Sequence, residues 1–134
     1  MTSQQSALRR YVTLILPVVP ALILLLPVHY KLTANPDSVR LFEELGMEPV
    51  GRVLVGTIES ICIILLMLPG VAIYGAILTL AVMTGALIAH ATHLGWANPS
   101  PSMVVKALVA AACSMAIIYL RREQLALIRT MFER

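Results

Sequence analysis

PVGRVLVGTIESICIILLML, residues 49–68, is long enough as a helix to cross the roughly 30 Å hydrocarbon layer of a bilayer, yet it carries Arg52 and Glu59. A charge near the centre of a membrane helix costs about 2.5–3.5 kcal/mol on insertion scales, so it faces a bundle interior or a wet cavity and finds a partner there. Arg52, Gly56, Glu59 and Ser60 stand at i, i+4, i+7 and i+8 and therefore share one stripe. The Val, Leu and Ile face is left for lipid. The remaining sequence is read as whatever encloses that stripe.

Immediately downstream, Pro69-Gly70 makes a turn that permits only an antiparallel return, so residues 71–94 form the next span and a helical hairpin results. Ala81, Gly85 and Ala89 recur there every four residues, the small-residue pattern that lets membrane helices pack closely, and the stripe leads towards His90 and His93. Upstream, residues 36–46 are amphipathic: Asn35 is a cap, Pro36 suits the first helical position, and Gly46 closes the end. Val39, Phe42 and Leu45 oppose Arg40, Glu43 and Glu44, which predicts a short helix lying at the membrane surface.

The outermost segments complete the set. Residues 11–32 form a first span expected to kink at its prolines, Pro17, Pro20 and Pro27. A signal peptide is the competing reading, but no small-x-small cleavage site follows, so the span is expected to be retained. After the GWANPSPS loop, with Ser100 as cap and Pro101 at the first helical position, residues 102–120 form the fourth span. Its packing face is Ala107, Ala110, Ala111 and Ser114. Residues 121–134 read as an amphipathic tail that continues the fourth helix along the surface.

Composition agrees. With 59% apolar and 13% charged residues among 134, and a mean hydropathy of +0.87, the chain lies outside the soluble globular range. The fold class is all-α, a single integral membrane domain built as a four-helix bundle with a short amphipathic helix between the first two spans. Four spans leave little room for an extramembrane catalytic domain. The net charge of +3 comes mainly from arginines at the chain ends, where membrane flanks expect them, and is no nucleic-acid footprint. Cys62 and Cys113 lack Cys-x-x-Cys spacing and sit in apolar runs, so both are expected to be reduced packing residues at similar depth.

Both termini fall on one side. Arg9, Arg10, Arg121, Arg122, Arg129 and Arg134 flank that side, against Lys31, Arg40, Arg52 and Lys106 on the other, which favours termini in the cytoplasm of a bacterial inner membrane. The threading then brings His29, Lys31, Arg52, His90, His93 and Lys106 to the outer face. With Val50 at the entry, Glu59 lies about 13 Å deep. The expectation is a bundle that is polar in its outer half and sealed in its inner half, a pocket open to one side.

The run KLT at 31–33, the amphipathic FEELGMEP, Arg52-x3-Gly56-x2-Glu59, the Pro-Gly turn and a third helix ending at His90 together resemble the DoxX and DoxX-like family of small four-helix membrane proteins. The resemblance covers most of the chain and rests on the order and spacing of motifs that are individually weak. It implies the fold better than an activity, because members are associated with a thiosulfate:quinone oxidoreductase and with a membrane complex against oxidative stress, and distant relatives act as a cargo receptor and an assembly chaperone. By motif position it singles out Lys31, Arg52, Glu59 and His90. Two departures stand out: Ala34, where glycine is common, and the proline-rich first helix.

The reading placed first is a membrane accessory or assembly factor, not catalytic alone, whose outer pocket binds a small ligand, lipid head group or partner protein through Lys31, Arg52, Glu59, His90 and Lys106. The alternative is a subunit of a quinone-linked oxidoreductase in which Glu59 and His90 exchange protons and the cations hold quinone or a small anion. No residue set for flavin, iron–sulfur or dithiol chemistry accompanies it, and no cofactor is evident beyond quinone. A third reading makes Arg52–Glu59 a structural ion pair. A metal held by His29, His90 and His93 ranks last, since interfacial histidines need no metal. Membrane lipids are the expected partners, and the small-residue faces offer a contact for a protein partner or a homo-oligomer.

Overall fold

The computed structural model describes residues 2–98 and 100–133; Met1, Pro99 in the last loop and Arg134 from the arginine count lie outside them. Six α-helices follow in order: α1 Ser3–Ile15, α2 Val18–Leu32, α3 Pro36–Glu44, α4 Val50–Met67, α5 Ala72–Ala89 and α6 Pro101–Phe132, with a π turn over His90–Leu94 extending α5. Among the described residues, four stretches are long and apolar enough to cross a membrane: Ser3–Leu32, Val50–Met67, Ala72–Leu94 and Pro101–Phe132. The chain is an all-α membrane bundle in which α2 packs on α4, α4 on α5, α5 on α6, and α6 more lightly back on α2.

The first helix starts well before residue 11. Thr2 and Gln5 form a reciprocal capping box that starts the helix at Ser3. It breaks at Pro17, whereas Pro20 sits in the first turn of α2 and Pro27 is carried inside it. The Pro17 nitrogen cannot donate to the Thr13 carbonyl one turn back, and that orphaned carbonyl accepts instead from Arg121 Nη2 of α6 at 2.8 Å. Arg121 Nη1 also donates to the Pro69 carbonyl in the hairpin turn, so one buried guanidinium ties three segments together.

The two ends of the connector are closed by left-handed residues. Beyond α3, Gly46 adopts φ +68°, with its N–H on Glu43 and the Met47 N–H on Phe42, which satisfies the last carbonyls. Beyond α2, Ala34 adopts φ +55° and the Asn35 N–H returns to the Tyr30 carbonyl. Glycine takes up that conformation without the steric cost an L-residue such as alanine bears there. Phe42 alone is buried on α3 and anchors it to the bundle.

On α5 the packing stripe is not the one read from the sequence. Ala72, Gly75, Ala76, Thr79 and Met83 face inward, whereas Ala81 and Gly85 are exposed and Ala89 is half-buried. Gly75 is the tight crossing: a Cβ there would lie 2.7 Å from the Leu66 nitrogen, against nothing within 4 Å at Gly85. Along α6, Ala107, Ala110 and Ser114 are buried and Ala111 is half-buried. The helix runs through Arg121 to Phe132 without a break, so no turn separates a surface tail from the fourth span.

Candidate functional site

Antiparallel threading brings the end of α2, the start of α4 and the π turn after α5 to one end of the bundle, with α3 laid against α2, α4 and the π turn. Helical side chains lean towards their own N-terminus, so Lys31, from the last turn of α2, reaches down into the bundle while Glu59 of α4 reaches up. They meet: Lys31 Nζ lies 2.8 Å from Glu59 Oε2, with side chains 13% and 4% exposed. Gly56 permits the approach, since a Cβ there would meet Lys31 Cβ and Leu32 Cδ2 at 3.1 Å.

The Arg52–Glu59 ion pair of the third reading does not form among the described residues. By the same lean, Arg52 turns back towards Glu48 at i−4, and its Nε donates to both carboxylate oxygens at 2.9 Å. Glu59 lies seven residues the other way, about 10.5 Å along the axis. Arg52 Nη1 also donates to the Lys31 carbonyl, one of the orphaned acceptors at the end of α2. The arginine is a strut between two helix ends. Glu48 did not figure among the site residues read from the sequence, although its i−4 spacing from Arg52 was the available signal.

His90 is buried in the π turn, with Nδ1 2.8 Å from the Ala86 carbonyl and Nε2 3.1 Å from the Asn98 carbonyl. Asn98 Nδ2 donates in turn to Glu44 Oε2 at 2.7 Å, so His90 and Asn98 fasten the last loop to α5 and α3. Both imidazole nitrogens face carbonyl oxygens, which leaves no lone pair directed at a metal. His93 is exposed, its Nδ1 2.7 Å from the Thr92 hydroxyl, and His29 is exposed beside Tyr30. The three histidines therefore do not assemble, and no group of three His, Cys, Asp or Glu placed to hold a metal occurs among the described residues. Lys106 is exposed on α6, with no hydrogen bond or ion pair to the cluster among the described residues. Cys62 is fully buried, Cys113 half-buried, and both are free thiols.

What the geometry brings together is thus Lys31 with Glu59, flanked by the Arg52–Glu48 strut and the His90–Asn98–Glu44 chain. An ammonium has three donors, and Lys31 uses one of them among the described residues. Beside those spare donors, the Glu59 carboxylate supplies an acceptor.

These features define a small four-helix integral membrane protein whose charged side chains meet between helix ends. The match to the DoxX-like family model spans residues 15–114, and the chain belongs to that family. No curated protein and no solved structure matches the chain.

Proposed function

We propose that this protein is an accessory or assembly subunit of a bacterial plasma membrane, with both termini in the cytoplasm, that binds a small polar ligand or a partner's polar group at Lys31–Glu59. The observation that carries the reading is the buried ion pair with unfilled donors at one bundle end. Arg52 and His90 have structural partners of their own, so the binding set narrows to the lysine and the glutamate. Burying two charges is costly and only repaid by good geometry, which makes the pair a costly choice for packing alone. A ligand with a donor and an acceptor side by side would answer both charges.

A second reading rests on the same pair. A quinone carbonyl would accept from Lys31 and a quinol hydroxyl would donate to Glu59, which suits a membrane subunit of a redox complex whose electron-carrying centre lies on another chain. Trp96, exposed in the loop beyond the π turn at the same bundle end, is the chain's single tryptophan and serves as the optical reporter. The test follows Trp96 fluorescence of the protein in nanodiscs during titration with short-chain quinones and small carboxylates, in wild type and in Lys31→Met. A saturable response lost in the variant is expected. A response that Lys31→Met leaves intact would remove the pair from the binding site, and one confined to quinones would favour the redox reading.

A further inference from the structure

The contacts of His90 ask more than a neutral imidazole can give. The ring is buried in the π turn, with Nδ1 2.8 Å from the Ala86 carbonyl and Nε2 3.1 Å from the Asn98 carbonyl. A carbonyl oxygen only accepts, and a neutral imidazole carries one N–H, so a neutral ring answers one of these contacts and sets a lone pair against the other. Only the imidazolium donates to both. Its charge is also well placed, because the Ala86 carbonyl belongs to the C-terminal turn of α5, where the helix dipole favours a cation. The last loop hangs on this ring: Asn98, whose carbonyl it holds, donates from Nδ2 to Glu44 Oε2 of α3 at 2.7 Å.

We infer that His90 is a proton-operated latch on the last loop. Protonated, it donates to Ala86 and Asn98 together and holds Gly95–Asn98 against α3. When the ring loses its proton, the remaining hydrogen stays on Nδ1, where the shorter contact lies within its own helix, and Nε2 turns a lone pair on the Asn98 carbonyl. Asn98 is then repelled, and its side chain leaves Glu44 with it. The loop is therefore held at the acidic end of the titration and released at the alkaline end. No other titratable group bonds to the ring directly among the described residues. On the π turn His93 faces Thr92, and on α3 Glu44 reaches the ring only through Asn98 while Asp37, Arg40 and Glu43 are exposed. On α4 Arg52 and Glu48 are bonded to each other and Glu59 to Lys31 of α2, and Lys106 of α6 is exposed. The latch does not depend on what Lys31 and Glu59 bind.

Spin labels on Glu43→Cys and Ala97→Cys, both exposed positions, read the distance between α3 and the loop in the full chain in nanodiscs, with Cys62 and Cys113 replaced by alanine. Imidazoles ordinarily change charge between about pH 5 and 8, which sets the window of the test. Across it the ratio of released to held loop should rise at least about tenfold, the scale of one hydrogen bond to a charged group. His90→Gln, which keeps a donor and an acceptor but no titrating proton, should give one distance distribution throughout. His29→Gln and His93→Gln should leave the wild-type response intact. Nitrogen NMR of the imidazoles, assigned with those two variants, gives a second readout that needs no change at His90. Both ring nitrogens of His90 should carry hydrogen while the loop is held, and Nε2 should lose it in step with release. A response that survives His90→Gln, or vanishes with His93→Gln, overturns the latch. So does a His90 ring with a single N–H while the loop is held, or a distance that does not change with pH.

Discussion

Lys31 and Glu59 reach each other across antiparallel helices, one side chain descending and the other rising, to a single 2.8 Å contact inside the bundle. Lys31→Met leaves the Glu59 carboxylate buried without its cation and should destabilise the protein by about 3–5 kcal/mol, read by detergent or thermal unfolding. The double variant Lys31→Met, Glu59→Leu should recover most of that loss. A double variant as unstable as the single one would show that the pair is not what holds α2 on α4.

Arg52 couples to Glu48 and not to Glu59. In double-mutant cycles scored by unfolding, Arg52→Leu and Glu48→Leu should be non-additive, whereas Arg52→Leu and Glu59→Leu should add. Arg52→Lys should not rescue, because a single ammonium cannot serve a carboxylate and the Lys31 carbonyl with a planar fork. Additivity with Glu48 and coupling with Glu59 would contradict the geometry.

Ala34 holds a left-handed conformation, φ +55°, that costs an L-residue roughly 1–2 kcal/mol. Ala34→Gly removes that strain but adds freedom to the unfolded chain, so a net gain of up to about 1 kcal/mol is expected as a raised unfolding midpoint. A lowered midpoint would mean that this backbone conformation is not adopted.

Much of this could be read from the residues and some could not, for physical reasons. Apolar runs of membrane length and a Pro-Gly turn leave the backbone few choices, because every N–H and C=O in lipid must be satisfied within a helix. The shared stripe of Arg52 and Glu59 was visible, but a stripe fixes a face and not a direction. Lys31, twenty-eight residues from Glu59, is the partner because both side chains lean into the gap between their helices. The α5 stripe misled because that helix is apolar all round, and lipid and bundle interior accept the same residues. Arg121 passed for a flanking charge. The orphaned carbonyl that Pro17 leaves at Thr13 was the signal that some donor had to come.

Gly75 and Gly85 give a paired test of which face of α5 packs. Gly75→Ala drives a Cβ into the Leu65–Leu66 backbone and should cost about 1–3 kcal/mol. Gly85→Ala meets open space and should be neutral or gain up to about 1 kcal/mol from helix propensity. The reverse order, measured as unfolding midpoints, would restore the Ala81–Gly85–Ala89 face as the packing seam.

Arg121 and Pro17 should prove linked although α1 and α6 are far apart in sequence. Pro17→Ala restores an N–H that can donate to Thr13 within a continuous helix, so the carbonyl no longer needs the guanidinium. Arg121→Met should therefore be less damaging in the Pro17→Ala background than in wild type, by about 1.5–3 kcal/mol, the scale of one hydrogen bond to a charged group. The Pro69 carbonyl still loses its donor in both backgrounds, so Arg121→Met should remain destabilising after Pro17→Ala. Equal losses in the two backgrounds would show that the proline break and the arginine are independent, and that the kink has some other cause than the bond it removes.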